Sequence, residues 1–436
     1  MRLIRLLKHD LAKETRTWVD ENLISTDQAA SICLRYGIDY HAHLKHSYGY
    51  YVLVSLGYLF IGLSLITVIG ANWEDIPRAM RMAGLVAITL LANLGGIYNY
   101  KHNRGKSAVG LFFLGAIFYG ASIILIAQIY HIGEHYPDGV FWWAMGVLPL
   151  AFLLRSNLIM MLSVALAFIW FFVEAGLHFY PLFFPVFLIL TGWYVLRLQQ
   201  SNIVFLALIA GIGIWAESTL SWYLDETHRF NFGPENVALG AAIFILFHAI
   251  AKWLAHRDDH RLKDYGTLLG VWTLRFAVVS LVVFSFEETW EGLMLTDWEI
   301  PKFTVGLSIV LCGLAIVLSY ISGRQVVAAT AFSAFYLTAL FMVMSKNIGN
   351  PQSLQILDNI VMVATGVWLI MRGFHDGVSH YFYLGIIIIM ITALLRYIDL
   401  VGDYIGAAIL FAVFAFILLG AARYWKRSAG MEVKQS

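Results

Sequence analysis

Residues 115–157 read GAIFYGASIILIAQIYHIGEHYPDGVFWWAMGVLPLAFLLRSN. Two apolar runs flank a short polar loop, with Gln128, Tyr130 and His131 at the seam. A helix needs about 20 mostly apolar residues to cross a bilayer, so the stretch predicts two spans and a tight connection. The pattern recurs along the chain. Of 436 residues, 60% are hydrophobic and 13% charged, against about 45–50% and about 25% in a soluble domain. The apolar excess comes in blocks over nearly the whole length, so it is not one oversized core.

The length rule places spans near 50–70, 83–99, 108–130, 140–154, 158–175, 181–196, 203–217, 235–253, 266–286, 303–322, 326–345, 353–371, 380–398 and 404–422. The predicted fold class is all-α, a polytopic transmembrane helix bundle of about 14 spans. Residues 1–46 form a cytoplasmic amphipathic helical arm, 47–423 the transmembrane domain and 424–436 a short cytoplasmic tail. In the arm, Ser25-Thr26-Asp27-Gln28 offers a capping box that starts the second helix of a hairpin. The opening MRLIRLLKHD is too charged for a cleaved signal peptide.

Basic residues set the orientation. Lys101, Arg104, Lys106, Arg155, Arg197, Lys252, Arg257, Arg324 and Arg372 all fall in alternate connections. The intervening connections carry acids instead, among them Glu134, Asp138, Glu226, Glu287 and Glu299. The positive-inside rule then puts both termini in the cytoplasm. Trp73, Trp142, Trp143, Trp290 and Trp298 in the outer connections suit an interfacial aromatic belt. A net charge of +1 gives no case for nucleic-acid binding. Cys33 and Cys312 lie in a polar arm and an apolar run, so no disulfide is expected.

Polar groups inside spans are costly and point to function or to helix junctions. Gly120, Ile124, Gln128 and His131 share one helix stripe, and Ala116 with Gly120 forms a small-xxx-small pair. Arg275 falls near the middle of its span, and Asp358, Glu174 and Glu217 somewhat inside outer boundaries. Arg396, Asp399 and Asp403 cluster at an outer end. The candidate ligand or ion-path residues are therefore Gln128, Tyr130, His131, Arg275, Asp358, Arg396, Asp399 and Asp403. His131-Ile132-Gly133-Glu134-His135 matches the H-x-x-E-H zinc pattern formally, but Gly133 breaks the helix that pattern needs. No metal site is expected. No P-loop or dinucleotide fingerprint occurs, so neither a cofactor nor ATP coupling is expected.

GANWEDIP at 70–77, LIAQIYHI at 125–132, the following FWWAMGVLPLAFLLRS and LLRYIDLVGDYIG at 394–406 resemble a DUF2157-type family of bacterial membrane proteins, a domain of unknown function. The likeness is best over 15–160 and highlights Asn72, Trp73, Gln128, Tyr130, His131, Arg396, Tyr397 and Asp403. It implies a bacterial inner-membrane location and supplies no substrate. The favoured function is a secondary transporter or permease. A membrane enzyme acting on a lipid or lipid-linked sugar at the outer face, or a structural or regulatory envelope protein, remain the alternatives. The expected partners are membrane lipid, a small-molecule or lipid ligand and a protein contact at the amino-terminal arm.

Overall fold

The computed structural model describes residues 14–35 except 16, parts of 53–67, then 76–131, 135–224, 230, 232–323, 326–345, 350–375 and 379–399, with 412 and 416. Among them no strand occurs, and 11 helices are long and apolar enough to cross a membrane. The all-α polytopic bundle is borne out. The predicted spans near 50–70 and 404–422 lie largely outside the described residues, as do Asn72, Trp73 and Asp403 and the side chain of Asp399.

The helices run α1 (Thr26–Arg35), α2 (Arg78–Lys101), α3 (Gly105–Tyr130), α4 (Pro137–Leu154) and α5 (Asn157–Gly176). Next comes α6 (Phe184–Trp193), which ends in a π turn (Tyr194–Leu198) and is the shortest of the apolar segments. Then follow α7 (Asn202–Leu224), α8 (Pro234–Ala255), α9 (His260–Phe284) and the short α10 (Glu287–Leu295). Last are α11 (Pro301–Ile321), α12 (Val326–Met344), α13 (Pro351–His375) and α14 (Ser379–Asp399). The chain divides into two compact units, Met1–Trp215 and Ala216–Ser436, the division falling inside α7.

Local chemistry explains the boundaries. Pro137, Pro234, Pro301 and Pro351 each open a helix, where the missing N–H would have had no partner and the fixed φ already suits the helix. His131 and Arg155 close α3 and α4 in the left-handed conformation, at φ 49° and 47°. Each turns its backbone N–H onto a carbonyl of the last turn, Ala127 or Ala151. The predicted capping box is present: Ser25 N donates to Gln28 Oε1 at 2.9 Å and Gln28 N to Ser25 Oγ at 3.3 Å. Within the arm, Thr15 Oγ1 meets Cys33 Sγ at 3.4 Å, both side chains buried. Cys33 and Cys312 are both free thiols, as expected.

Helices in lipid gain little from the hydrophobic effect against each other, so close packing around small residues does the work. In the first unit, α3 and α4 interlock reciprocally. The Trp143 indole fills the hollow over Gly120, where an added Cβ would fall 2.0 Å from its ring, and Trp143 Nε1 donates to Ala116 O at 2.8 Å. Tyr119 covers Gly146 in the same way. The Ala116/Gly120 pair thus receives a side chain rather than a backbone, and Trp143 belongs to the helix interface instead of an aromatic belt. Trp142, on the neighbouring face, is 58% exposed and does fit such a belt.

In the second unit the backbones themselves approach. Gly266 of α9 lies against the backbone of Ala251 and Ala255 on α8, and Gly366 and Gly385 face each other across α13 and α14.

Candidate functional site: a chamber with two carboxylates

A cavity of about 550 Å³ runs through the second unit, walled by α7, α8, α9, α10, α11, α12 and α13. Pro234 and Lys252, near opposite ends of α8, both line it. At 1.5 Å per residue its length along that helix is roughly 27 Å, close to the ~30 Å thickness of a bilayer's hydrocarbon. The α8 residues facing it, Pro234, Val237, Ala241, Phe244, His248 and Lys252, recur at three- and four-residue steps, a single stripe. A second cavity of about 590 Å³ shares the wall of Phe332, Phe335, Thr365 and Trp368 and extends to Gly323 and Arg372.

Two carboxylates from different helices face the chamber: Glu217 on α7 and Asp358 on α13. Glu217 Oε2 accepts from Asn236 Nδ2 at 2.9 Å, and the same amide nitrogen reaches the Glu217 carbonyl at 2.9 Å. Asn236 is held in turn by Gly233 N, which donates to its Oδ1 at 3.2 Å, so the first turn of α8 positions the carboxylate. Glu217 Oε1 has no hydrogen-bond partner among the described residues. That oxygen packs against the bare backbone of Gly240, where a Cβ would lie only 3.3 Å from it. Asp358 is only 1% exposed, and its Oδ2 is likewise without a hydrogen bond among the described residues. Burial of a charged oxygen without a partner is costly, so each of these oxygens calls for a proton, a water or a ligand.

Other polar groups are already engaged. Tyr336 of α12 shares a hydrogen bond with Ser308 at 2.8 Å and donates to Ala238 O at 2.8 Å, tying α11, α12 and α8 together. At the far end of the chamber, His248 Nδ1 sits 3.0 Å from Thr273 Oγ1, one turn from Lys252. Glu235 accepts from Glu299 N at 2.6 Å and joins the start of α8 to the segment before α11. Trp290 and Trp298, predicted as belt residues, line the chamber instead, their indoles bonded to Phe284 O and Leu293 O. Helix α10 folds what was predicted as open loop and so turns both rings inward.

Asp358 and Arg396 are brought together, close enough for their charges to interact. Arg396 also donates from Nη2 to Ser285 O at 2.6 Å, which supplies a cation and a donor to the carbonyl end of α9. Arg275 lies outside the chamber, on an exposed face of α9, with its guanidinium carbon 5.5 Å from the Trp272 ring centroid. Gln128, Tyr130 and His131 are exposed at the end of α3 in the first unit and line neither cavity. Asn236 and Tyr336 escaped the sequence reading. An amide in a first turn and one tyrosine in an apolar run carry no local signature of a shared cavity.

Among the described residues the first unit holds one cluster of possible metal-ligand groups. His135, Asp138 and Glu174 bring ligand atoms within 4.8 Å of one another. Glu174 is already satisfied: Oε2 is 2.8 Å from His135 Nε2, and Oε1 accepts from Trp170 Nε1 at 2.9 Å. A metal would have to break the His135 bond, so the donor set fits a hydrogen-bonded clasp better than an ion. The H-x-x-E-H pattern is not on one helix, because His131 ends α3 in the left-handed conformation. Glu134 is outside the described residues.

The arm, α2, α3, α4 and the first turn of α5 carry the stretches that resemble a known family. Residues 16–160 match the family model described as Predicted membrane protein (DUF2157). The matched stretch contains the α3–α4 interlock and ends before Glu174 and the whole of the chamber. No curated protein and no solved structure matches the chain.

Proposed function

We propose that the protein is a secondary transporter of the bacterial inner membrane, permease-like, with both termini in the cytoplasm. The observation that carries this is the chamber: a cavity nearly as long as a bilayer is thick, with two incompletely paired carboxylates in its wall. The bias of basic residues supports the orientation. In that orientation Glu217 and Asp358 lie toward the outside, and Lys252 and Arg372 toward the cytoplasm. The wall shared by the two cavities is then the barrier on the cytoplasmic side.

The test is cysteine accessibility in a background with Cys33 and Cys312 replaced. Ala241→Cys and Ala277→Cys face the chamber, and Arg275→Cys lies outside its lining on α9. Labelling of positions 241 and 277 by a small membrane-impermeant thiol reagent is expected from both sides, with position 275 unreactive. A chamber that stays unlabelled from both sides removes the transport reading and leaves a dry helix bundle.

A further inference from the structure

We infer that the chamber selects amphipathic organic cations, an apolar or aromatic body carrying one positive charge. The inference deepens the transport reading and rests on it for access to the chamber. Its basis is the combination of two kinds of wall. Along its wall the chamber presents ring after ring, including Phe244, Phe284, Trp290, Phe335, Tyr336 and Trp368. Ring faces attract a cation by about 0.5–2 kcal/mol each once it is desolvated, and they exclude a small, strongly hydrated ion. A hard metal cation would need six to eight oxygen ligands, and this wall is predominantly apolar.

The charges fit a monovalent ligand. Arg396 acts on Asp358, and a bound cation favours the ionised form of a carboxylate beside it. With both carboxylates in that form, one negative charge at this end is left for the ligand to balance. Both unpartnered oxygens, Glu217 Oε1 and Asp358 Oδ2, are buried, so water does not compensate them from outside the cavity. The bare backbone of Gly240 makes room for Glu217 Oε1 itself, since a Cβ there would lie 3.3 Å away. At the opposite end Lys252 lines the wall and repels a cation, so the charged head goes to the carboxylate end with the apolar body along α8. A volume of about 550 Å³ holds one molecule of drug-like size.

Tetraphenylphosphonium and tetraphenylborate, two ions of nearly the same shape and opposite charge, test this on the purified full-length protein by equilibrium binding. The expected result is saturable binding of the phosphonium only. It should weaken roughly tenfold or more in Asp358→Asn and in Glu217→Gln and persist in Asp358→Glu. Equal binding of both ions overturns the inference. So does phosphonium binding indifferent to the carboxylate substitutions, or none at all to folded protein. Thermal unfolding of each variant separates loss of the site from loss of the fold. If positions 241 and 277 label from both sides while the phosphonium does not bind, the cation inference fails and the transport reading stands. If they stay dark while the phosphonium binds, transport fails and a cation site remains.

Discussion

Gly385→Val should abolish most of the folded protein. A Cβ at position 385 would stand 2.6 Å from Gly366 O and 2.9 Å from Ile370 N, both backbone atoms that no rotamer change can move. Helices α13 and α14 would have to separate, and with them the core formed by Met362, Leu369 and Ile388 against α9. Overpacking a well-filled core costs about 1–3 kcal/mol and occasionally more. Here the obstruction is backbone, so the upper end or beyond is expected. The same wedge would part Asp358 on α13 from Arg396 on α14 and so disturb the chamber. Gly306→Ala is the control, since nothing lies within 4 Å of the added carbon. Its effect should be within about 0.5 kcal/mol. Thermal unfolding of both variants in detergent decides the matter, and an unchanged midpoint for Gly385→Val would show that the two helices do not pack this way.

His135→Ala should also be costly, by about 1–3 kcal/mol, the range for leaving a buried acceptor without its donor. The carboxylate of Glu174 is 8% exposed and has two donors, His135 and Trp170. Removing the imidazole leaves a buried oxygen that Trp170 does not reach. Glu174→Gln should cost much less, because a neutral amide needs less compensation. Adding Glu174→Leu to His135→Ala should recover part of the loss, the coupling expected of groups in direct contact. A chelator should leave the wild-type midpoint unchanged if the clasp is held by hydrogen bonds. A clear drop on chelation would instead make His135, Asp138 and Glu174 a metal site.

Particular residues show where sequence reasoning stops. Ser25 and Gln28 were legible because a capping box is a local pattern, three residues apart. The helix starts at Pro137, Pro234, Pro301 and Pro351 fall within three residues of the predicted span starts, because a helix start depends on the backbone of one turn. Arg275 was conspicuous for its depth in a span, yet hydropathy records depth without recording direction. The structure turns its guanidinium toward Trp272 and away from the chamber. Trp143 and Trp290 looked interfacial because they stand near span ends, while their indole N–H groups are bonded to backbone carbonyls inside the fold.

By itself the sequence determined that this chain is an all-helical membrane protein and roughly where its helices begin and end. Those properties follow from the cost of exposing backbone and charge to hydrocarbon, which each segment meets alone. Only the tertiary structure decided that Glu217 and Asp358 share one chamber, that Asn236 holds the first, and that Arg396 joins Asp358 while Arg275 does not line that chamber. Such facts depend on which stripe of each helix faces inward. In lipid that choice is made by small residues and interhelical hydrogen bonds from partners far apart in the chain.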